Sequence, residues 1–232
     1  MPTTIVTGAS RGIGTVICDY LARRGHHVIG LARGRPEGFA GSFYAADLTD
    51  EAETADTLAR ILAEHEVDNL VNNAGKADRK AIEDISLAGA RDMMELNVMA
   101  TIQCTQAVVA GMKRRGAGRI VNMASRALLG RERTAVYAAS KAAVEALTRS
   151  WALELGGHGI TVNAVAPGVI DSAMFRQNNP ADSPETAKLL DRIPLHRTGQ
   201  PAEVAAAVAY FLSPDAGYTT GQTLFVCGGW SV

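Results

Sequence analysis

The sequence predicts an α/β fold: one domain built on a doubly wound, mostly parallel sheet of about seven strands. Three observations carry this. Short β-branched apolar runs alternate with longer segments of helical periodicity, the pattern of successive βαβ units. A glycine-rich turn, Gly8 to Gly14, joins the first strand to the first helix. No linker, composition break, internal repeat or low-complexity tract divides the 232 residues, so 1–232 reads as a single domain.

The elements follow in order. Thr4-Ile5-Val6-Thr7 is a short buried strand. After the glycine turn, Val16, Ile17, Tyr20 and Leu21 recur at helical spacing, and Gly25 closes that helix as a C′ glycine. His27 to Leu31 is a second strand. Ala32 to Gly41, rich in Gly and Pro, is a loop. Ser42 to Ala46 is a third strand. Asp50 to Glu66 is a helix with an apolar stripe at Leu58, Ile61 and Leu62, and Asp68 to Asn72 is a fourth strand. Leu87 to Arg115 reads as one long helix that could break near Gly89 or Gly111. Gly118 to Ala124 is a fifth strand, Ala135 to Leu155 a second long helix, and Ile160 to Ala166 a sixth strand stopped by Pro167-Gly168. Pro201 to Leu212 is a helix with Pro at its start. Thr223 to Cys227 is the last strand. Asp171 to Gly199 reads as irregular, and a segment of that length in a compact domain is a functional loop or lid, or else a surface insertion.

Composition excludes several classes. Lys and Arg number 23 against 24 Asp and Glu, a net charge of −1, without the basic excess of a duplex nucleic-acid binder. Hydrophobic residues make up 47% and charged ones 20%, enough to fill a core and too apolar for wholesale disorder. Three separated cysteines (Cys18, Cys104, Cys227) offer neither a disulfide framework nor a zinc ribbon, and they fit a reducing, cytoplasmic setting. The five histidines lack metal-ligand grouping, so no metal is expected. No run approaches the ~18 apolar residues of a membrane span. The first residues lack a signal peptide's basic and apolar regions.

The glycine turn has a chemical reading. Its glycines let the backbone turn sharply and approach a pyrophosphate, while the helix N-terminus presents unpaired N–H groups and partial positive charge. Its spacing is G-x-x-x-G-x-G. Thr7-Gly8-Ala9-Ser10-Arg11-Gly12-Ile13-Gly14 resembles the opening motif of the short-chain dehydrogenase/reductase family. Further matches lie in order along nearly the whole chain. They are Asn72-Asn73-Ala74-Gly75, Asn97 in a Leu-Asn-Val context, Ser125, Tyr137-Ala138-Ala139-Ser140-Lys141, Pro167-Gly168, Thr220-Gly221 and Gly228-Gly229. The pattern is nearest to 3-oxoacyl-(acyl-carrier-protein) reductase-like members. The resemblance implies a Rossmann-type fold and a nicotinamide cofactor.

Cofactor choice turns on the residue ending the second strand. An acid there favours NAD, and arginines favour NADP. Ala32 stands at that place and Arg33 follows it, with Arg11 and Arg35 as further cations, so NADP(H) is favoured over NAD(H); the alternative is that these arginines are merely solvated. By resemblance, Asp47 with Leu48 borders the adenine, although Asp-Leu-Thr-Asp also reads as a turn that caps the next helix. Asn73, Ala74 and Gly75 line the cofactor or simply form a turn. Pro167, Gly168 and Ile170 border the nicotinamide, and Ser172 supplies a hydroxyl nearby.

Tyr137 and Lys141 are four apart in a helix and share a face. A lysine ammonium one turn away is expected to lower the phenol's pKa from about 10. Lys141 would also bond the nicotinamide ribose, Ser125 would bind the substrate oxygen, and Asn97 would hold a water linked to Lys141. The interval from Ser125 to Tyr137 is one residue shorter than is usual in the family. The helix usual between the second and third strands is missing, and Cys227 replaces the aspartate of D-G-G. The expected reaction is NADPH-dependent reduction of a carbonyl, 3-oxoacyl thioesters being the leading substrate. The alternatives are an NAD(P)-dependent alcohol or polyol dehydrogenase and a non-catalytic dinucleotide sensor. Lys113-Arg114-Arg115 with Arg119, together with Arg176, make an acyl-carrier protein a candidate partner. The family's habit implies a homotetramer through the two long helices.

Overall fold

The computed structural model describes residues 1–172, 175–176, 179–180 and 183–232. Its seven strands form one sheet, β1 (Thr3–Thr7), β2 (His27–Ala32), β3 (Ser42–Ala45), β4 (Asn69–Asn72), β5 (Gly118–Met123), β6 (Ile160–Pro167) and β7 (Thr223–Val226). The order is β3-β2-β1-β4-β5-β6-β7 and every pair is parallel. The order reverses after β1, so the chain winds outward in both directions and leaves a crevice at the carboxyl ends of β1 and β4.

Period-two alternation splits the apolar side chains between two faces. Val6, Val71, Val121 and Val165 pack against Ile17 and Leu21 of α1 (Gly12–Ala22) and against Val204, Val208 and Phe211 of a late helix, Pro201–Leu212. Ile5, Leu70, Ile120 and Val162 meet Leu58 and Ile61 of α2 (Glu51–Glu64), and beyond it the helices that follow β4 and β5. Each such fully buried Leu or Ile contributes about 1.5–3 kcal/mol. α1 ends on Gly25 (φ +81°), where the amides of Gly25 and His26 close on the carbonyls of Ala22 and Leu21.

Two expectations are corrected. The helix foreseen over Leu87–Arg115 is α3 (Leu87–Met94) and α4 (Ala100–Arg115), joined by a π turn at Glu95–Met99. Neither Gly89 nor Gly111 interrupts it; the extra residue of the wider turn carries Asn97 inward. The segment 171–199 is not irregular throughout. After α5 (Ala135–Leu155), the chain forms α6 (Pro184–Asp191), capped by Ser183, whose hydroxyl accepts from the Thr186 amide at 3.1 Å, before α7 (Pro201–Leu212). Residues 173, 174, 177, 178, 181 and 182 of the expected substrate loop lie outside the described residues. Where a helix would join β2 to β3, residues 33–41 form a loop whose buried Phe39 lies over Gly30. Among the described residues no helix is long and apolar enough to cross a membrane.

Candidate active site

The glycine turn is held shut by β4. The Thr7 hydroxyl accepts from the amides of Asn73 and Ala74, both at 2.9 Å, and the Asn73 side-chain amide donates to the carbonyls of Thr7 (2.9 Å) and Gly8 (3.2 Å). Asn73 and Ala74 therefore brace the turn, and the turn-forming reading of this segment holds alongside any role toward a ligand. A Cβ at Gly14 would stand 2.1 Å from the Gly8 carbonyl oxygen, so α1 can start this close to β1 only without a side chain there. Gly12 (φ +60°) is different, because a Cβ there would meet nothing within 4 Å. At α1's N-terminus Arg11 is extended and makes no side-chain cap, and the first turn has no acid. The first amides of α1 thus have no intrahelical partner, and the turn is open around exposed Gly12, beside Ser10. This cradle fits a dinucleotide pyrophosphate.

At the far side of the cradle β2 ends on buried Ala32, followed by exposed Arg33. Arg11 and Arg33 make no ion pair among the described residues, whereas Arg35 donates to the Phe39 carbonyl at 3.3 Å and so braces its own loop. Asp47 accepts from the Thr49 amide (3.0 Å) and hydroxyl (2.8 Å). Those bonds, helped by the fields of Arg33 and Lys76, hold its carboxyl below the usual range. The structure gives Asp47 a turn role and sets it near Arg33. Leu48 beside it is buried.

The residues expected to carry the chemistry gather at the ends of β4 and β5. Ser125 lies just past β5 in extended backbone, and its hydroxyl accepts from the Ala127 amide at 3.1 Å. Tyr137 and Lys141 sit one turn apart in α5. The Tyr137 phenol is partly buried; burial pushes its pKa up, and the Ser125 hydroxyl, which faces it, pulls the other way. The expectation that Lys141 would lower this pKa is corrected: the net shift is upward, and the Lys141 ammonium is aimed at the Met123 carbonyl, 2.6 Å away. Burial pushes Lys141 down to about 8. A Cβ at Gly75 would stand 3.4 Å from that ammonium and 3.1 Å from the Asn97 side-chain oxygen, so Gly75 lets β4's loop pass close to both.

Asn97 is fully buried in the π turn. Its side-chain oxygen accepts from the Lys76 amide (2.8 Å), and its NH₂ donates to the Lys76 carbonyl and the Ser140 hydroxyl, both at 2.9 Å. Ser140 in turn donates to the Tyr137 carbonyl at 2.8 Å. The Asn97 side chain is thus a clasp between the loop after β4 and α5.

At the nicotinamide end, β6 finishes on Pro167. A Cβ at Gly168 would stand 2.7 Å from the Cys227 Cβ, so glycine lets β6 and β7 converge. Ile170 bridges to Gly199 through its neighbours, the Val169 carbonyl and the Asp171 amide, so its own N–H and C=O point away from that contact. Ser172 accepts from the Phe175 amide at 3.2 Å. The arginines assigned to a carrier protein are largely committed elsewhere. Arg176 is bidentate on Asp171 (2.6 and 2.5 Å), Arg115 pairs with Glu66 and reaches the Val67 carbonyl, and Arg119 bonds the Gly118 carbonyl at 2.9 Å. Sequence reasoning passed over Thr7, Lys76, Ser140 and the Met123 carbonyl. Thr7 and Ser140 stand inside the quoted motifs, but the other two act through backbone atoms and leave no side-chain signal.

A family model described as Enoyl-(Acyl carrier protein) reductase matches residues 8–231. The 3-oxoacyl-(acyl-carrier-protein) reductase FabG of Vibrio cholerae is 40% identical over 235 residues, covering 97% of this chain and 95% of the relative. A gluconate 5-dehydrogenase of Burkholderia cenocepacia, solved with NADP and tartrate, superposes with a TM-score of 0.92 at 30% identity over 99% of this chain and 95% of that one. An actinorhodin polyketide ketoreductase variant solved with NADPH superposes with a TM-score of 0.91 at 34% identity, over 99% and 97%. Fold, site and likeness together define an NAD(P)-dependent oxidoreductase. The chain belongs to the short-chain dehydrogenase/reductase family.

Proposed function

We propose that this enzyme reduces a ketone to a secondary alcohol with NADPH, Tyr137 giving the proton. One observation carries the reading: Tyr137 and Lys141 stand one turn apart in α5, with the Ser125 hydroxyl facing the phenol at the end of β5. NADPH, when bound, supplies the hydride to the carbonyl carbon. Gly8, Ser10, Gly12, Ile13 and Gly14 would hold its pyrophosphate, and Arg11 and Arg33 its 2′-phosphate. Asp47 and Leu48 would border the adenine. Asn73, Ala74 and Gly75, then Pro167, Gly168, Ile170 and Ser172, would flank the rest. Ser125 donates a hydrogen bond to the oxygen as negative charge develops on it. Tyr137 Oη transfers its proton to that oxygen. Lys141 Nζ, still protonated below about pH 8, restores the phenol and is itself replenished from solvent past the Asn97 carbonyl.

A 3-oxoacyl thioester is the leading substrate, supported by the likeness to the Vibrio reductase and the polyketide ketoreductase. A second reading, oxidation of a polyol or sugar acid, draws on the likeness to the gluconate dehydrogenase. One domain carries both sites. Assembly is a homotetramer through α4 and α5, whose Leu153 stands 87% exposed in the single chain. The test is a panel of ketones and alcohols run with NAD(H) and NADP(H) side by side. Ketone-dependent NADPH oxidation is expected to dominate. Faster polyol-dependent reduction of NAD⁺ would replace this reading with the second.

A further inference from the structure

The loop that follows Ser125 runs into a cluster of cations that the catalytic set does not use. Arg126 lies over the Trp230 indole, its guanidinium carbon 4.0 Å from the ring centroid, and its Nε donates to the Trp230 carbonyl at 3.2 Å. Arg192, just past α6, approaches the same ring at 5.6 Å. Two glycines put the indole there. Gly228 (φ +64°) and Gly229 (φ +87°) turn the chain after β7 back over Ile193 and Pro194, where a Cβ on either would stand 2.7 or 3.0 Å from its neighbour. Arg131 belongs to the same group. Burial, then the fields of Arg79, Arg126 and Arg192, hold its pKa below the ordinary value. Burial and Arg192 likewise depress Arg126, which the Cys227 side chain partly offsets.

None of Arg79, Arg126, Arg131 and Arg192 makes an ion pair among the described residues, and their sequence neighbours Glu132 and Asp191 form none with them. Arg126 and Arg192 gain from the indole face, but the four cations still repel one another. An anion is the group that relieves this, and two guanidinium forks braced on one rigid ring suit a planar carboxylate.

The cluster also has a definite place. Arg126 is one residue from Ser125, about 3.8 Å between Cα atoms. Its guanidinium lies beside Cys227, which packs on Gly168 at the nicotinamide end. That place, one residue along the chain from Ser125, suits a carboxylate on the substrate's own carbon chain rather than a phosphate at the remote end of a carrier arm.

We propose that Arg126 and Arg192, braced on Trp230, form a carboxylate subsite, and that the preferred substrate is an oxo acid, free or as the acyl part of a thioester, with its carboxylate near the ketone. The proposal rests on the reading of Ser125 and Tyr137 as the reacting site and narrows its substrate. The test compares levulinate with its neutral amide under NADPH, in wild type, Arg192→Leu and Arg192→Lys. It also measures succinate binding by calorimetry in wild type, Arg126→Leu and Arg192→Leu.

Wild type is expected to favour the acid by about tenfold or more in kcat/KM, the value of one charge-assisted pair. Arg192→Leu should collapse that ratio toward unity, and Arg192→Lys should restore part of it. Succinate binding should weaken by about tenfold in both Leu variants. An acid-to-amide ratio near one in wild type, or a ratio that neither Arg192 variant moves, overturns the subsite. If neither ketone turns over, the reductase reading fails and calorimetry decides alone: binding lost in the Leu variants upholds the subsite, and absent or unaltered binding overturns it.

Discussion

Around Gly8 and Gly14 the chain meets itself backbone to backbone, with Thr7 and Asn73 as ties and a Cβ's room missing at 2.1 Å. Around Ser125 and Trp230, a few strands along the same edge, it meets through long side chains and a single ring face. The first region is rigid and shaped for a ligand part that is the same in every turnover. The second is assembled from three loops and a chain end, elements that can change without disturbing the sheet. The contrast assigns constancy to the dinucleotide and variability to the substrate.

Substitutions can break or sharpen that contrast. Tyr137→Phe keeps the ring and removes the proton; kcat should fall by roughly 10²–10⁴ while NADPH binding by fluorescence titration stays as in wild type. Near-native turnover would remove the phenol from the chemistry. Gly14→Ala forces a methyl into the Gly8 carbonyl and should cost about 1–3 kcal/mol or more, read in urea denaturation, with NADPH binding lost in the folded fraction. Unaltered stability would mean the turn can yield, and the region is not rigid. Arg33→Asp should move the NADPH-to-NADH affinity ratio by about ten- to a hundredfold toward NADH, the value of one or two charged hydrogen bonds. A ratio that stays put leaves the 2′-phosphate to Arg11.

The smallest effect lies away from both regions. Arg197, paired with Glu203 at 2.6 Å, holds the Glu203 carboxyl down at about 2 against an ordinary 4.5, with the Gln200 amide helping. A depressed carboxyl stabilises the fold fully above its unfolded pKa, and that contribution drains away as pH falls from 4.5 toward 2. Glu203→Gln should flatten this acid limb and shift Tm by no more than about 2 °C, since the pair is half exposed. An unchanged acid limb would show the pair idle in solution.

Legibility in the sequence followed the physics of each part. Ala135–Leu155 and Pro201–Leu212 come out at their observed bounds because one carries unbroken helix formers and the other begins at Pro and runs into Ser213-Pro214. α6 was hidden by the Pro and Asn around it, although Ser183-Pro184-Glu185 is a start signal that could have revealed it. The π turn was invisible for a deeper reason. One extra residue shifts the apolar stripe's phase, and a search for a constant period averages over the slip. The motif residues were legible as types and spacings. The direction of Tyr137's pKa was not, because it depends on burial that spacing cannot report. Arg126 and Arg192 lie 66 positions apart and are joined only through Trp230, which Gly228-Gly229 folds back to both of them.

The wider turn at Glu95–Met99 also acts as a phase marker. Deleting one residue from it would let the ladder heal into ordinary helix with the flanking helices still in line, because the wider turn already takes up the extra residue. Asn97 would then miss the Lys76 peptide, and the wall beside Gly75 would come unlatched while α3 and α4 stayed intact as helices. The irregular ring is what keeps the two helices and the catalytic edge in step.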